Sequence, residues 1–356
     1  VNICGNIIKK DVVIMIKPSK LCKGDTVAIV SPSSGLAGED TIMWRTMQGI
    51  ERLREVFGLN VKVMPNALKG IAFNHHNPEE RADDLNNAFR DPEVKAIICT
   101  LGGNDCIRII PYLDEEVIRN NPKIFLGYSD ITTLHLYLYQ LGITTFYGPA
   151  LLTDFAENIQ MDEYTVNSIH STLFDTSVIG EIQTSDMIRK FGLRWDEENQ
   201  SIERPLIDNS GYEQIQGECI VTGHLIGGCL EVLSNLRGTY MFPSLDLFKG
   251  GILFIETSEV HLPPELLEDY LRAFAVMGIF DQVNGIIIGR PQDGVYYDEI
   301  KEVFQGILAE WNLKDLPVLY NASFGHNEPK CIIPYGVQAE INMKENKFSV
   351  LESAVE

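Results

Sequence analysis

The sequence predicts an α/β fold: an N-terminal, mainly parallel sheet flanked by helices, joined to a smaller α+β C-terminal domain. Three observations carry that prediction. Between Thr26 and Tyr147, short apolar runs alternate with longer stretches of helical apolar period. Polar or glycine-bearing loops follow these runs, at Ser31 to Gly35, Leu101 to Asp105 and Gly127 to Asp130. After Phe174 the periodicity fades into a polar stretch around Trp195, and beyond Glu213 strands and helices return less regularly. A chain of 356 residues has the material for two cores. The expected boundaries are 15–175 for the N-terminal α/β domain, 176–212 for an irregular linker or insertion, and 213–356 for the C-terminal α+β domain.

Thr26 to Ser31 reads as a strand. Thr41 to Phe57 reads as a helix, with Ile42, Met43, Met47, Ile50, Leu53 and Val56 on helical spacing and Gly58 placed to end it. A strand at Asn60 to Met64 follows. Asn77-Pro78-Glu79-Glu80 opens a helix with proline at its first position and Leu85 and Phe89 turned inward. Next come a strand at Ala96 to Leu101, a mostly helical stretch at Ile107 to Asn120 and a buried strand at Ile124 to Leu126. A helix runs on from Ile131, and Thr144 to Tyr147 closes the series. Asp162 to Phe174 reads as a further helix. In the second half, strands are expected at Glu213 to Val221, Gly251 to Ile255 and Gly285 to Ile288, and helices at Leu225 to Leu236, Pro263 to Met277 and Asp298 to Trp311. Short strands follow near Val318 and Ile332, at Val337 to Ile341 and at Phe348 to Leu351. In parallel sheets of this kind ligands sit beyond the carboxyl ends of the strands, where the three loops above converge.

Composition is that of an ordinary globular enzyme, 45% hydrophobic and 22% charged. A formal charge of −21 argues against nucleic acid and against anionic membrane surfaces as partners, because phosphate binding needs a basic face. No apolar run is long enough to span a bilayer. Lys9, Lys10 and Asp11 precede only a brief apolar patch, unlike a secretory signal, and Met15 followed by Ile16-Lys17-Pro18 reads as a more natural start than Val1. Seven scattered cysteines (4, 22, 99, 106, 219, 229 and 331) read as reduced thiols, which points to the cytoplasm. There is no C-x-x-C pair and no H-E-x-x-H, and His75-His76 are adjacent. No metal site and no cofactor are expected.

Ser129 falls on the strand-to-helix turn Gly127-Tyr128-Ser129-Asp130, a placement that lifts a hydroxyl clear of a sheet. The pattern lacks the second glycine of G-x-S-x-G, and capping of the helix by Ser129 or Asp130 is the competing reading. A nucleophile needs a base and a group that orients it. His326, in the loop Ala322 to Pro329, is the best base, set against an ordinary loop histidine; His135 suits core packing, and His224 and His261 are less constrained. Glu256 ends the apolar strand Gly251 to Ile255, where a carboxylate is costly unless paired. Glu259 is its competitor, and Asp130 a weaker one. Gly102-Gly103 offers unobstructed backbone N–H groups, for an oxyanion or for a plain turn.

Together these segments resemble the LD-carboxypeptidase family of serine peptidases, which includes the microcin C immunity peptidases. The resemblance rests on Lys23 to Ser33, Arg81 to Pro92, Leu101-Gly102-Gly103-Asn104, Gly127-Tyr128-Ser129-Asp130, Ile255-Glu256-Thr257-Ser258-Glu259 and Phe324-Gly325-His326. It spans Lys23 to Val350. It implies Ser129 as nucleophile, His326 as general base, Glu256 as orienting carboxylate, and the backbone N–H groups of Gly103 and Asp130 as oxyanion hole. It also implies a homodimer. The loop Leu101-Gly102-Gly103-Asn104-Asp105 departs from the R-G-G-Y-G-like loop of the murein-recycling enzymes and is closer to the immunity branch. In that branch an aromatic residue from the segment here containing Trp195 stacks on the nucleotide part of the substrate, with Asn104 and Trp195 as substrate-binding residues.

Two functions follow from these readings. The first is a metal-free serine carboxypeptidase or amide hydrolase acting on murein LD-peptides or on peptidyl or aminoacyl sulfamoyl adenylates. The second is a non-catalytic two-domain protein that binds a small molecule in the same crevice.

Overall fold

The computed structural model describes residues 15–356, so the reading of residues 1–14 as additional sequence lies outside the described residues. Five strands, β1 (Thr26–Val30), β2 (Asn60–Val63), β3 (Val94–Cys99), β4 (Ile124–Gly127) and β5 (Phe146–Tyr147), pair in parallel in the order β5-β4-β3-β1-β2. Helices α1 (Met43–Glu55), α2 (Gly70–His76), α3 (Pro78–Arg90), α4 (Glu115–Asn120) and α5 (Thr132–Gln140) connect them. β3 and β4 are apolar along their length because they are buried throughout, apart from Lys95 of β3. The expected helix over Ile107 to Asn120 divides: Cys106–Tyr112 is a tighter helix with Pro111 inside it, and α4 begins after Asp114, whose side chain accepts from Val117 N–H at 3.0 Å.

The stretch after β5 holds α6 (Glu163–Ile169), β6 (Gly180–Ile182), β7 (Met187–Arg189) and β8 (Leu206–Asp208). Beyond it lie β9 (Glu213–Gln216), β10 (Ile220–Cys229), α7 (Leu230–Leu236), β11 (Ile252–Glu256), α8 (Pro264–Val276), β12 (Gly285–Gly289), α9 (Tyr297–Glu310) and β13 (Val318–Ala322). The chain finishes with β14 (Ile333–Pro334), β15 (Gln338–Asn342) and β16 (Lys347–Val350). The second sheet has the order β6-β16-β15-β10-β11-β12-β13-β9, with a parallel centre from β10 to β13 and antiparallel flanks. β7 and β8 form a separate antiparallel pair within the stretch expected to be irregular.

Two expectations fail here. Glu213 to Val221 is not one strand: Gly217, at φ 82°, breaks it, and β9 and β10 take different places in the sheet. Leu225 to Leu236 is not all helix: β10 runs to Cys229, and only α7 is helical. Gly227 explains the difference, since a Cβ there would fall 1.7 Å from the Phe254 carbonyl oxygen of β11. Gly227 thus lets β10 lie close against β11.

The halves are joined through their carboxyl-end loops and through β14. Ile333 pairs with Tyr147 on the edge of the first sheet, and the Tyr335 hydroxyl then donates to Gly227 carbonyl oxygen of β10 at 2.8 Å. His135 of α5 stacks on Tyr335 at 4.9 Å and is wholly buried, the core role its helix implies. Its Nε2 lies 2.9 Å from the Gly127 carbonyl oxygen and its Nδ1 2.8 Å from the Thr145 hydroxyl, a neutral, satisfied ring. Burial pushes its pKa down to about 3. The folded state therefore binds this proton less readily than the unfolded chain, so stability present above the ordinary histidine range is lost as pH falls toward 3. Thermal midpoints measured from pH 7 to 4 should fall more steeply in the wild type than in His135→Gln; equal slopes would remove His135 as a cause.

Candidate active site

Ser129 follows β4 in the left-handed region, at φ 66°, which is strained for any residue with a Cβ. Its N–H donates to the Tyr147 hydroxyl at 3.1 Å, and its carbonyl accepts from the Thr132 hydroxyl at 2.7 Å. Tyr147 in turn donates to Glu256 Oε1 at 2.5 Å. The turn is thus held by both halves of the molecule, and it carries the serine hydroxyl beyond the end of the sheet.

Glu256 ends β11 and is fully buried. His326 lies in the loop after β13, with Nδ1 2.7 Å from Glu256 Oε2 and Nε2 3.0 Å from Ser129 Oγ. The same Oε2 accepts from the His326 backbone N–H at 3.2 Å. Gly325 makes the approach possible: it sits at φ 86°, and a Cβ there would come within 2.4 Å of Glu256 Cγ. Burial alone would raise the Glu256 carboxyl, but the charge and hydrogen bonds of His326 hold it below the usual range. A second carboxylate, Glu259 Oε2, stands 3.0 Å from His326 Nε2. Burial lowers the imidazole pKa, yet Glu256 and Glu259 together outweigh it and push the ring up to about 10.

Facing the hydroxyl is the turn after β3. A Cβ on Gly102 would fall 2.6 Å from Ser129 Cβ and 2.8 Å from its Oγ, so any side chain there would cover the serine. Gly103 is at φ 144°, where a Cβ would strike Ser33 Oγ at 2.5 Å. Asp130 sends its side chain into the loop framework, accepting from Ser33 Oγ at 2.5 Å and Cys106 N–H at 2.8 Å. Buried Arg81 donates to the carbonyls of Pro32 and Ser33. These contacts fix three loops to one another. Cys229, Glu256 and His326 place ligand-type atoms within 4.8 Å of one another, the one such group among the described residues. Those atoms are already engaged, Cys229 Sγ with Glu231 Oε2 at 3.3 Å and the other two as above, and burial raises the thiol.

A cavity of about 550 Å³ opens beside Ser129. Its lining includes Gly102, Gly103, His326 and Glu259 at one part and Leu36, Ile42, Phe191, Leu193 and Trp195 at others. Trp195 is half-buried, with the Arg45 guanidinium 4.5 Å from its ring centroid and an apolar group of Ala37, Ile42 and Leu152 beneath. Asn104 is exposed and is not brought into this lining; the turn contributes Leu101, Gly102 and Gly103 instead. The cavity floor is a buried ion network. Arg204 binds Glu157 and, at 3.0 Å, Glu328 Oε2; Lys330 lies 3.3 Å from Asp154 Oδ1 and 3.7 Å from the Tyr128 ring centroid. The Tyr128 ring meets the His326 ring at 5.0 Å. Tyr147, Arg45 and this network escaped sequence reasoning. Charges flanking His326, in Asn327-Glu328-Pro329-Lys330, were the available signal for the network; a tyrosine ending an apolar strand gave none for the bridge.

Ser129, His326 and Glu256 thus meet where the two sheets adjoin. Residues 27–148 match the LD-carboxypeptidase N-terminal domain of the peptidase S66 family, and residues 222–341 match its LD-carboxypeptidase C-terminal domain. The chain belongs to this family. It is 30% identical over 347 residues, 95% of either chain, to a Bacillus subtilis (strain 168) protein named for murein peptide carboxypeptidase activity. It superposes with a TM-score of 0.85 on the crystal structure of an MccF-like protein from Streptococcus pneumoniae in complex with AMP, at 34% identity over 92% of this chain and 98% of that one. The microcin C7 self-immunity protein MccF in complex with aspartyl sulfamoyl adenosine gives a TM-score of 0.82 at 27% identity, over 96% of this chain and all of the other, covered at 100%. No helix among the described residues is long and apolar enough to cross a membrane.

Proposed function

We propose that the chain is a serine-type carboxypeptidase or amide hydrolase that cleaves a peptidyl or aminoacyl nucleotide. The observation that carries this reading is the continuous relay from Ser129 Oγ through His326 to Glu256, at 3.0 and 2.7 Å, opening on the cavity. In the reaction, neutral His326 takes the serine proton at Nε2 as Oγ forms its bond to the substrate carbonyl carbon. The N–H groups of Gly103 and Asp130 receive the developing oxyanion. The imidazolium returns its proton to the leaving nitrogen as the acyl–nitrogen bond breaks, and water then releases the acyl group by the same steps. Glu256 keeps the proton on Nδ1 and stabilises the imidazolium. A binding protein without chemistry has no use for this relay. Labelling of the wild type by a serine-directed phosphonate, lost in Ser129→Ala and in His326→Ala, supports the hydrolase; labelling that survives both sinks it.

The nucleotide part of the reading rests on Trp195 and on the AMP and sulfamoyl adenosine held by the structural relatives. An indole face stacks on a base for roughly 1–3 kcal/mol. Trp195→Ala is therefore expected to raise KM for an aminoacyl sulfamoyl adenylate by about ten- to a hundredfold. Hydrolysis of a murein tetrapeptide, which has no base to stack, should change far less. The check is kcat/KM for both substrates in both proteins. Equal losses would assign Trp195 to packing on Arg45 and the apolar group beneath it; a murein peptide cleaved in preference by the wild type would favour the activity named for the Bacillus subtilis relative.

A further inference from the structure

We propose that Glu259 is a latch on the general base: its carboxylate holds His326 Nε2 in the unliganded enzyme and releases it when an ammonium group on the acyl side of the substrate takes its place. The inference rests on the reading of Ser129, His326 and Glu256 as the catalytic relay. Nε2 has two partners at 3.0 Å, Ser129 Oγ and Glu259 Oε2. With Nδ1–H given to Glu256, a neutral imidazole presents only a lone pair at Nε2. That lone pair accepts from a hydroxyl and repels a carboxylate. The Glu259 contact therefore calls for a proton on Nε2, and a ring protonated at both nitrogens cannot take the proton of Ser129.

The groups around the ring agree. Glu256 faces it from β11, Glu259 from the loop after β11, Cys229 from the end of β10, and Glu328 from its own loop. Tyr128 lies at its edge, with Lys330 behind that ring and balanced by Asp154 and Glu328. Two carboxylates on one imidazole favour the imidazolium. Glu259 differs from the other carboxylates of the cavity lining. Glu328 is bound by Arg204 and Lys330, and Asp196 by Arg194. Among the described residues, Glu259 is the cavity-lining carboxylate with no arginine or lysine partner, and its side chain is 51% exposed. A cation entering the cavity beside Ser129 meets this group first. When it does, the positive charge it brings replaces the Nε2 proton, which leaves to water beside the exposed Glu259 side chain. Nε2 then keeps Ser129 as its one partner.

The test uses the full chain with Glu259→Gln and Glu259→Ala. Phosphonate labelling of Ser129, with a reagent carrying no cation, follows the fraction of neutral base. The acid limb of its pH profile should move down by about one unit or more in both variants, making labelling about tenfold faster below the limb. Titration of the His326 ring nitrogens by NMR should show the same displacement without any hydrolysis. An aminoacyl substrate should surpass its N-acetylated counterpart in kcat/KM by about tenfold or more in the wild type, a ratio that falls toward one in Glu259→Gln. An unmoved limb and ring titration, or an unchanged ratio, overturns the latch. Labelling that persists in Ser129→Ala instead overturns the relay reading beneath it, so the two failures are told apart.

Discussion

Ser129→Ala is expected to lower turnover on the order of 10⁶-fold, the scale of losing a nucleophile that acts as one unit with its base. The protein should stay folded. Alanine keeps the Cβ and so the same left-handed strain at φ 66°, and the hydrogen bonds that hold the turn run through the backbone N–H and carbonyl. Only Oγ is lost, and with it one partner of His326. Stability should therefore remain within about 1 kcal/mol, as for a change that leaves no buried group unpaired. Circular dichroism and thermal unfolding report the second part, and product formation under saturating substrate the first. A variant that keeps a tenth of wild-type turnover would take Ser129 out of the role.

Glu256→Gln is expected to cost on the order of 10⁴-fold in turnover, the scale of misplacing the base's proton. Both oxygens of Glu256 accept: Oε2 from the His326 Nδ1–H and backbone N–H, Oε1 from the Tyr147 hydroxyl. Glutamine can serve only one side. If its amide nitrogen faces His326, the ring must turn its lone pair inward and place the proton on Nε2, against the serine. If the nitrogen faces Tyr147, the bridge to the Ser129 turn is disturbed. Kinetics of Glu256→Gln beside Glu259→Gln decide the assignment. A large loss in Glu259→Gln with a small one in Glu256→Gln would exchange their roles.

These two carboxylates also mark what the sequence could and could not disclose. Glu256 was legible because it ends a run of five buried residues, where a lone charge is untenable. Glu259 looked like a rival for the same place, and only coordinates show that each takes a different nitrogen of one ring. The Ser129 turn was legible from strand, glycine and helix in succession. The parallel sheet was legible because its inner strands β1, β3 and β4 are buried and therefore apolar with little alternation. β10 was misread for a related reason: Leu230, Leu233 and Leu236 stand in helical phase, and nothing local announces that Gly227 must lie against β11. Trp195 was legible as a tryptophan out of place in a polar stretch, but its seat on Arg45 joins residues far apart in the chain. Asn104 was carried in by its motif, and the cavity lining takes Leu101, Gly102 and Gly103 from that turn instead.

Ser129 and His326 are 197 residues apart, and the edge strand β14 that completes the first sheet lies later still. During synthesis the turn bearing the hydroxyl leaves the ribosome long before its base does. A nascent chain exposing Ser129 has no Glu256 to fix Tyr147 and no imidazole to activate the hydroxyl. On the proposed reading, chemical competence waits until His326 has been made, and hydrolysis would report that both sheets have assembled.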